Sequence, residues 1–248
     1  MLFDAHSHLD LMQEGELKEA LEKATNAGIT QIISCATSFA SNEKNLELAR
    51  KFPQIKTAIG LYPLDALDLN EIELDKAFYF FNAEIKKAIA IGEIGLDYKY
   101  CVKKEEQEKQ VKIFTRFIEL SNKTGKPLII HSRFAQKQVL KILGENKAEK
   151  VLLHSFIDSL KLMKQAAEKG YFVSTGINTL ANEETQKNIA KFPLDNLLFE
   201  TDSPVRFRGE KTYPEQILTI AKKVAELKGI TFNEIEAVQE ENFKTLFH

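Results

Sequence analysis

Short runs of apolar and β-branched residues alternate along the chain with longer segments whose apolar positions recur every three or four residues. That alternation predicts strand-and-helix units arranged around a parallel sheet. Eight strand-like runs can be counted: 2–8 (LFDAHSH), 29–35 (ITQIISC), 56–61 (KTAIGL), 88–96 (AIAIGEIGL), 127–132 (PLIIHS), 151–156 (VLLHSF), 171–176 (YFVSTG) and 197–202 (LLFETD). Between them, Leu17, Ala20, Leu21 and Ala24 mark a helical face that stops at Gly28, and Val111, Phe114, Phe117 and Ile118 mark another before Gly125 and Pro127. Thr231 and Glu234 have the spacing of a reciprocal N-terminal cap ahead of a last amphipathic helix.

Eight such units close either as an open doubly wound sheet or as a barrel. No GxGxxG follows the first strand, which argues against the dinucleotide-binding open sheet. We therefore expect a single-domain (β/α)8 barrel, the TIM-barrel architecture, over residues 1–248. Gly92 and Gly95 are too sparse to cradle a phosphate and are expected to relieve crowding inside the barrel.

Composition narrows the function classes. Hydrophobic residues make up 44% and charged residues 28% of the chain, as in ordinary globular proteins. A net charge of −2 excludes a globally basic nucleic-acid surface, so any phosphate recognition must be local. The start of the chain has no charged segment followed by an apolar stretch, and no run approaches the ~18 apolar residues of a membrane span. A cytoplasmic location without membrane association is expected. Cys35 and Cys101 form no CxxC pair and are expected to be reduced, Cys35 in a strand core.

Four of the five histidines fall at the C-terminal ends of expected strands: His6, His8, His131 and His154. Barrel active sites are built at this face. Residues two apart on a strand point the same way, about 6.6 Å apart. On that parity His6 and His8 point inward together, as do Glu93 beyond Ile91, His131 beyond Ile129, His154 beyond Leu152 and Asp202 beyond Glu200. A lone strand-end histidine is more often structural than a ligand. Six ionisable groups in one mouth are another matter, because each unpaired buried charge costs on the order of several kcal/mol.

Four imidazoles and two carboxylates exceed the three protein ligands of a single catalytic zinc, so two divalent ions are expected. Glu93 is the candidate bridge, since its strand lies between those of the two histidine pairs. Nitrogen and oxygen donors without thiolate suit Zn, Mn, Co or Ni, with Mg admissible at the weaker position. Asp4 and Asp10 share the parity of the histidine pair and could orient ligand rings, turn and cap roles being equally open. Glu200 either orients a ligand or meets substrate. Asn242 is placed on a surface helix without a role, and His248 is given none.

These motifs resemble the TatD family of metal-dependent deoxyribonucleases, within the wider amidohydrolase-like barrels. FDAHSHLD is similar to the family's opening HxH segment, IGEIGLDY to its strand-four glutamate motif and ETDSP to its strand-eight aspartate motif. PLIIHSR and LLHSF are similar to the strand-five and strand-six histidine segments, and ENFKTLF to the closing helix, so the resemblance spans nearly the whole chain. It implies that His6, His8 and Asp202 hold one cation and His131 and His154 the other, with Glu93 between them. Glu93 also stands where many amidohydrolases carry a carboxylated lysine. The chain departs from the family in two places. Tyr62 in GLYP stands where relatives often have a histidine, and RFRGEKTYPE replaces an Arg-Asn-Glu-Pro string after strand eight.

The resemblance implies hydrolysis of DNA or another phosphodiester. Two cations would lower the pKa of a water between them and neutralise charge on the attacking and leaving oxygens, with Asp202 taking the proton. Asp202 and Glu93 are thus the candidate catalytic residues. Arg133 and Arg206 are candidates for substrate phosphate, ahead of Lys99, Lys103, Lys104, Arg208 and Lys211 on the same face. No obligate protein partner is implied. Two rival readings stand beside this one: hydrolysis of another ester or amide (a lactone, an aminoacyl-tRNA), and a non-catalytic metal or nucleic-acid binding protein. Fold alone does not choose among them.

Overall fold

The computed structural model describes residues 1–157 and 159–248. Eight parallel strands follow one another in chain order: β1 (Leu2–Ser7), β2 (Ile29–Cys35), β3 (Ile55–Ile59), β4 (Ala90–Gly95), β5 (Leu128–His131), β6 (Val151–Leu153), β7 (Phe172–Thr175) and β8 (Leu197–Phe199). Helices α1 (Glu14–Asn26), α2 (Phe39–Lys51), α3 (Glu71–Glu84), α4 (Lys104–Thr124), α5 (Gln136–Glu145) and α6 (Leu160–Ala167) fill the first crossovers. Short α7 (Asn178–Ala181) and α8 (Glu183–Lys191) follow β7, and α9 (Ile217–Lys228) and α10 (Phe232–Phe247) follow β8. This is the expected (β/α)8 barrel. α10 starts with the expected reciprocal cap, in which Thr231 accepts from the Glu234 N–H and the Glu234 side chain accepts from the Thr231 N–H.

Strand residues divide between two apolar layers. Ile32, Ile91, Leu128, Ile130, Leu153 and Phe199 pack outward among the helices. Phe3, Ala5, Ile33, Cys35, Ala90, Ile129, Leu152, Phe172 and Leu198 pack inside the barrel. The helix expected to lie on the surface does not: Phe243, Leu246 and Phe247 of α10 join the inner layer, and Phe243 stacks on Phe3 with ring centroids 4.1 Å apart. α10 is therefore the floor of the barrel. Burying a phenylalanine there contributes about 1.5–3 kcal/mol. Asn242 sits on the same inserted face, 4% exposed, and donates to the carbonyls of Leu194 and Leu197, correcting the surface placement. Gln239 also donates to the Leu197 carbonyl, at 2.8 Å.

The seam between the first and last strands closes at the opposite end. Asp202 N–H donates to the His6 carbonyl (3.0 Å) and His8 N–H to the Ser203 carbonyl (2.6 Å). Buried Asp4 accepts from the main chain and hydroxyl of Thr201. A short hairpin, β9 (Arg206–Phe207) with β10 (Glu210–Lys211), follows the seam, turning at Arg208 and Gly209, which both have positive φ.

Two strands break the even alternation on which the parity reading rests. β1 shifts register between Asp4 and Ser7, and β4 between Ile91 and Ile94, where the Gly92–Glu93 peptide is cis. Ile91 consequently faces the helices, and Glu93 reaches the mouth through the irregularity rather than by alternation from Ile91. β4 also runs against β5 closely enough to require glycine: a Cβ at Gly92 would stand 2.7 Å from Ile129 Cβ, and one at Gly95 would overlap the His131 carbonyl.

Candidate metal centre

The ladder ends earlier than the sequence suggests, β6 at Leu153 and β8 at Phe199, so His154 and Asp202 sit on turns just above the strands. Ser155 and Asp202 adopt positive φ, 48° and 56°, which bends the chain over the mouth. A non-glycine residue in that region stores backbone strain, tolerable for aspartate. The strain is placed where the chain must turn a side chain inward.

All six sequence-designated groups converge. His6 Nε2 and His8 Nε2 lie 3.2 Å apart. Glu93, only 3% exposed, stands between two clusters and gives one oxygen to each. Its Oε2 lies 3.8 Å from His6 Nε2 and 3.4 Å from His8 Nε2, while its Oε1 lies 2.7 Å from His131 Nδ1 and 3.5 Å from His154 Nε2. Asp202 Oδ1 lies 3.4 Å from His6 Nε2 and 3.3 Å from His8 Nε2. The ring of His6 stacks on that of His154 at 3.9 Å. Three overlapping triplets, His6/His8/Glu93, His6/His154/Asp202 and Glu93/His131/His154, each bring their donor atoms within 4.8 Å of one another.

The supporting contacts decide which ring nitrogens face this space. His8 Nδ1 lies 2.9 Å from the Cys35 carbonyl, which only accepts, so Nδ1 carries a hydrogen and Nε2 is the nitrogen turned to the cluster. His154 Nδ1 lies 3.2 Å from both oxygens of Glu200, and Ser174 donates to the same carboxylate. Glu200 thus orients His154. Asp4 and Asp10 do not touch ligand rings: Asp4 accepts from the His6 main-chain N–H and from Thr201, and Asp10 accepts from the Ser41 hydroxyl at 2.8 Å. Asp97, which the sequence reading passed over, accepts from Tyr62 and from His131 Nε2 at 2.7 and 3.2 Å. Its signal was the acidic residue directly after the strand-four motif, in GLDY.

Burial alone would push each imidazole down. At His8 the neighbouring Asp202 and Glu93 outweigh it and hold the ring up, to about 9; at His154 Glu200 and Glu93 hold it up, to about 10. His6 goes the other way, burial and the charge of His154 keeping it low. Burial opposes ionisation of Glu93 too, but His131, His6 and His154 hold its carboxyl well below the usual range. The pocket is therefore built to hold positive charge against anionic oxygens.

The donor set fits divalent cations. His6 Nδ1 and His131 Nδ1 are buried without a hydrogen-bond partner, the latter despite lying 2.7 Å from Glu93 Oε1. A buried imidazole nitrogen aimed at a carboxylate oxygen is satisfied by a shared proton or by a cation in its place, and this nitrogen–oxygen donor set suits divalent ions. Cys35 adds no thiolate, because burial and then Glu93 push its thiol up.

A cleft of 450 Å³ opens over the cluster, lined among others by His131, His154, Asp202, Arg133 and Arg206. The lysines on this face are engaged elsewhere: Lys103 with Glu106, Lys104 with Glu108, Lys211 with Glu16, and Lys99 over the Tyr100 ring. Arg208 donates to the Ala181 carbonyl. Arg133, which also lies over the Tyr100 ring, and Arg206, which donates to the Gly209 carbonyl, are the two designated cations that line the cleft. No helix among the described residues is long and apolar enough to cross a membrane.

The model of the family described as TatD-related DNase matches residues 3–248. The chain is 34% identical to the uncharacterized metal-dependent hydrolase YabD of Bacillus subtilis (strain 168), covering 100% of this chain and 99% of that one. It is 30% identical to the human deoxyribonuclease TATDN3, covering 99% and 94%. Among solved structures it superposes on YjjV, a TatD homologue from Escherichia coli K12, with a TM-score of 0.90, 27% identity, and coverage of 99% and 97%. With the converging histidines and carboxylates set in a barrel of that shape, the chain belongs to the TatD-related DNase family of metal-dependent hydrolases.

Proposed function

We propose that the protein hydrolyses DNA phosphodiester bonds with two divalent cations held by His6, His8, Glu93, His131, His154 and Asp202. The observation that carries the reading is Glu93, whose two oxygens face two different histidine pairs. His6, His8 and Asp202 would hold one ion, His131 and His154 the other, with Glu93 shared. Such a pair supplies an activated water at neutral pH and neutralises charge on the transferring phosphate.

The chain's own residues supply the rest. Asp202 is the one member of the cluster whose side chain reaches solvent appreciably, at 35% exposure, which suits a carboxylate that must meet and deprotonate incoming water. Arg133 and Arg206 border the same cleft and would draw in and orient the phosphodiester as planar, permanently charged donors. The buried Glu200, Ser174 and Cys35 contacts keep the imidazoles from turning, so little reorganisation accompanies the reaction. DNA as partner, a cytoplasmic location, and Zn, Mn, Co, Ni or Mg as occupants belong to the same proposal.

The test is turnover by metal-stripped protein reloaded in turn with Mg, Mn, Co and Zn. Substrates are an oligonucleotide, a bis-aryl phosphate, an aryl ester and a lactone. Metal-dependent cleavage of both phosphodiesters is expected. Turnover of the ester or lactone with none on either phosphodiester would assign the site to the other hydrolase class.

A further inference from the structure

Beside the centre, Tyr62, Asp97 and His131 form a closed triangle that the activity above does not itself require. The Tyr62 hydroxyl donates to Asp97 Oδ2 at 2.7 Å, His131 Nε2 lies 3.2 Å from the same oxygen, and the hydroxyl and Nε2 are 3.4 Å apart. The Tyr62 ring meets the His131 ring edge-on, with centroids 5.0 Å apart. Asp97 is fully buried and fixed without help from either: its N–H donates to Gln110 Oε1 (3.0 Å), and its Oδ1 accepts the Lys99 N–H (2.9 Å).

We propose that Asp97 and Tyr62 are positioning residues that hold His131 with Nε2 protonated and Nδ1 turned toward Glu93, a proposal that rests on the metal reading above. The hydroxyl has one proton, and the short contact spends it on Asp97. Nε2 then faces two acceptors and must carry its own hydrogen, so Nδ1, 2.7 Å from Glu93 Oε1, is the nitrogen that can give up its proton to a cation. His131 is thereby wired opposite to His8 and His154, which are held at Nδ1 and present Nε2. A ring set the other way round in the same cluster needs its own anchor on the far side. Tyr62 serves that anchor with a neutral donor.

Asp97→Asn is the sharp test. The Lys99 N–H retains the amide oxygen, so the amide NH2 faces Tyr62 and His131 and demands a lone pair at Nε2. In metal-free protein, nitrogen-15 shifts of the His131 ring should show a protonated Nε2 in the parent and loss of that Nε2–H, with Nδ1–H kept, in this variant. Manganese titration followed by electron paramagnetic resonance should show the second ion binding roughly 10- to 100-fold more weakly, the first unchanged within threefold. Tyr62→Phe, which preserves the ring, should weaken the second ion in the same direction by a smaller factor. An unchanged His131 tautomer in Asp97→Asn overturns the proposal, as does equal weakening of both ions or of neither in both variants. If the parent binds only one manganese, the two-metal reading fails instead, and the metal-free spectra still decide the positioning role.

Discussion

Replacing Asp202 by asparagine separates ligation from proton transfer. The carboxylate offers Oδ1 to His6 and His8, at 3.4 and 3.3 Å from their Nε2 atoms, and its side chain is 35% exposed to the cleft. Asparagine retains an oxygen for the first task and loses the basic group needed for the second. A positioned general base contributes roughly 100- to 10,000-fold, and at 1.36 kcal/mol per decade this is about 2.7–5.4 kcal/mol of barrier. The main-chain bond from the Asp202 N–H to the His6 carbonyl is untouched, so the turn should keep its shape. The assay is kcat and KM on a chromogenic phosphodiester, with bound metal counted by elemental analysis. We expect kcat to fall by two to four decades, KM to stay within threefold, and at least one ion to remain. Activity within tenfold of the parent at full metal content refutes the base role. Loss of both ions together with the activity refutes it as well, assigning Asp202 to ligation alone.

Three further outcomes follow from the same geometry. Phe243→Ala removes the ring stacked on Phe3 in the floor and should cost about 3–5 kcal/mol, lowering the melting temperature by roughly 6–20 °C at 2–4 °C per kcal/mol; a shift under 3 °C in a thermal melt rejects α10 as a packed floor. Chelation of the metals should lower the melting temperature by roughly 5–10 °C when ions are present at about 100 times their dissociation constant, with recovery on adding Mn or Zn; an unmoved transition means the cluster does not hold metal in the folded state. Arg133→Ala and Arg206→Ala should each raise KM for an oligonucleotide about tenfold while leaving metal content intact, and unchanged KM in both removes them from substrate binding.

The eight strands and their order were legible because apolar runs of strand length and three-to-four residue periodicity are local signals. So were His131 at the end of β5 and His154 on the turn just past β6, where Ile129 to His131 and Leu152 to His154 keep the two-residue spacing. β1 and β4 show the limit of that reasoning. Register shifts in each let His6 and Glu93 reach the mouth by a route that even alternation does not describe. Asn242 was misplaced because its helix carries apolar residues like any amphipathic surface helix, and only the assembled barrel shows that its face enters the floor. The contacts that orient the rings were equally hidden. Asp97 to His131 spans 34 positions and Glu200 to His154 spans 46, separations at which one sequence carries no pairing signal.

The seam joins the second strand-end histidine of the chain to the turn at Ser203, and Asp202 with it to His6. A ribosome that has released only the first seven strands has therefore made every histidine of the cluster but neither the aspartate nor the partner that closes the ring. The six-membered cluster is completed in one step, when the last strand docks against the first.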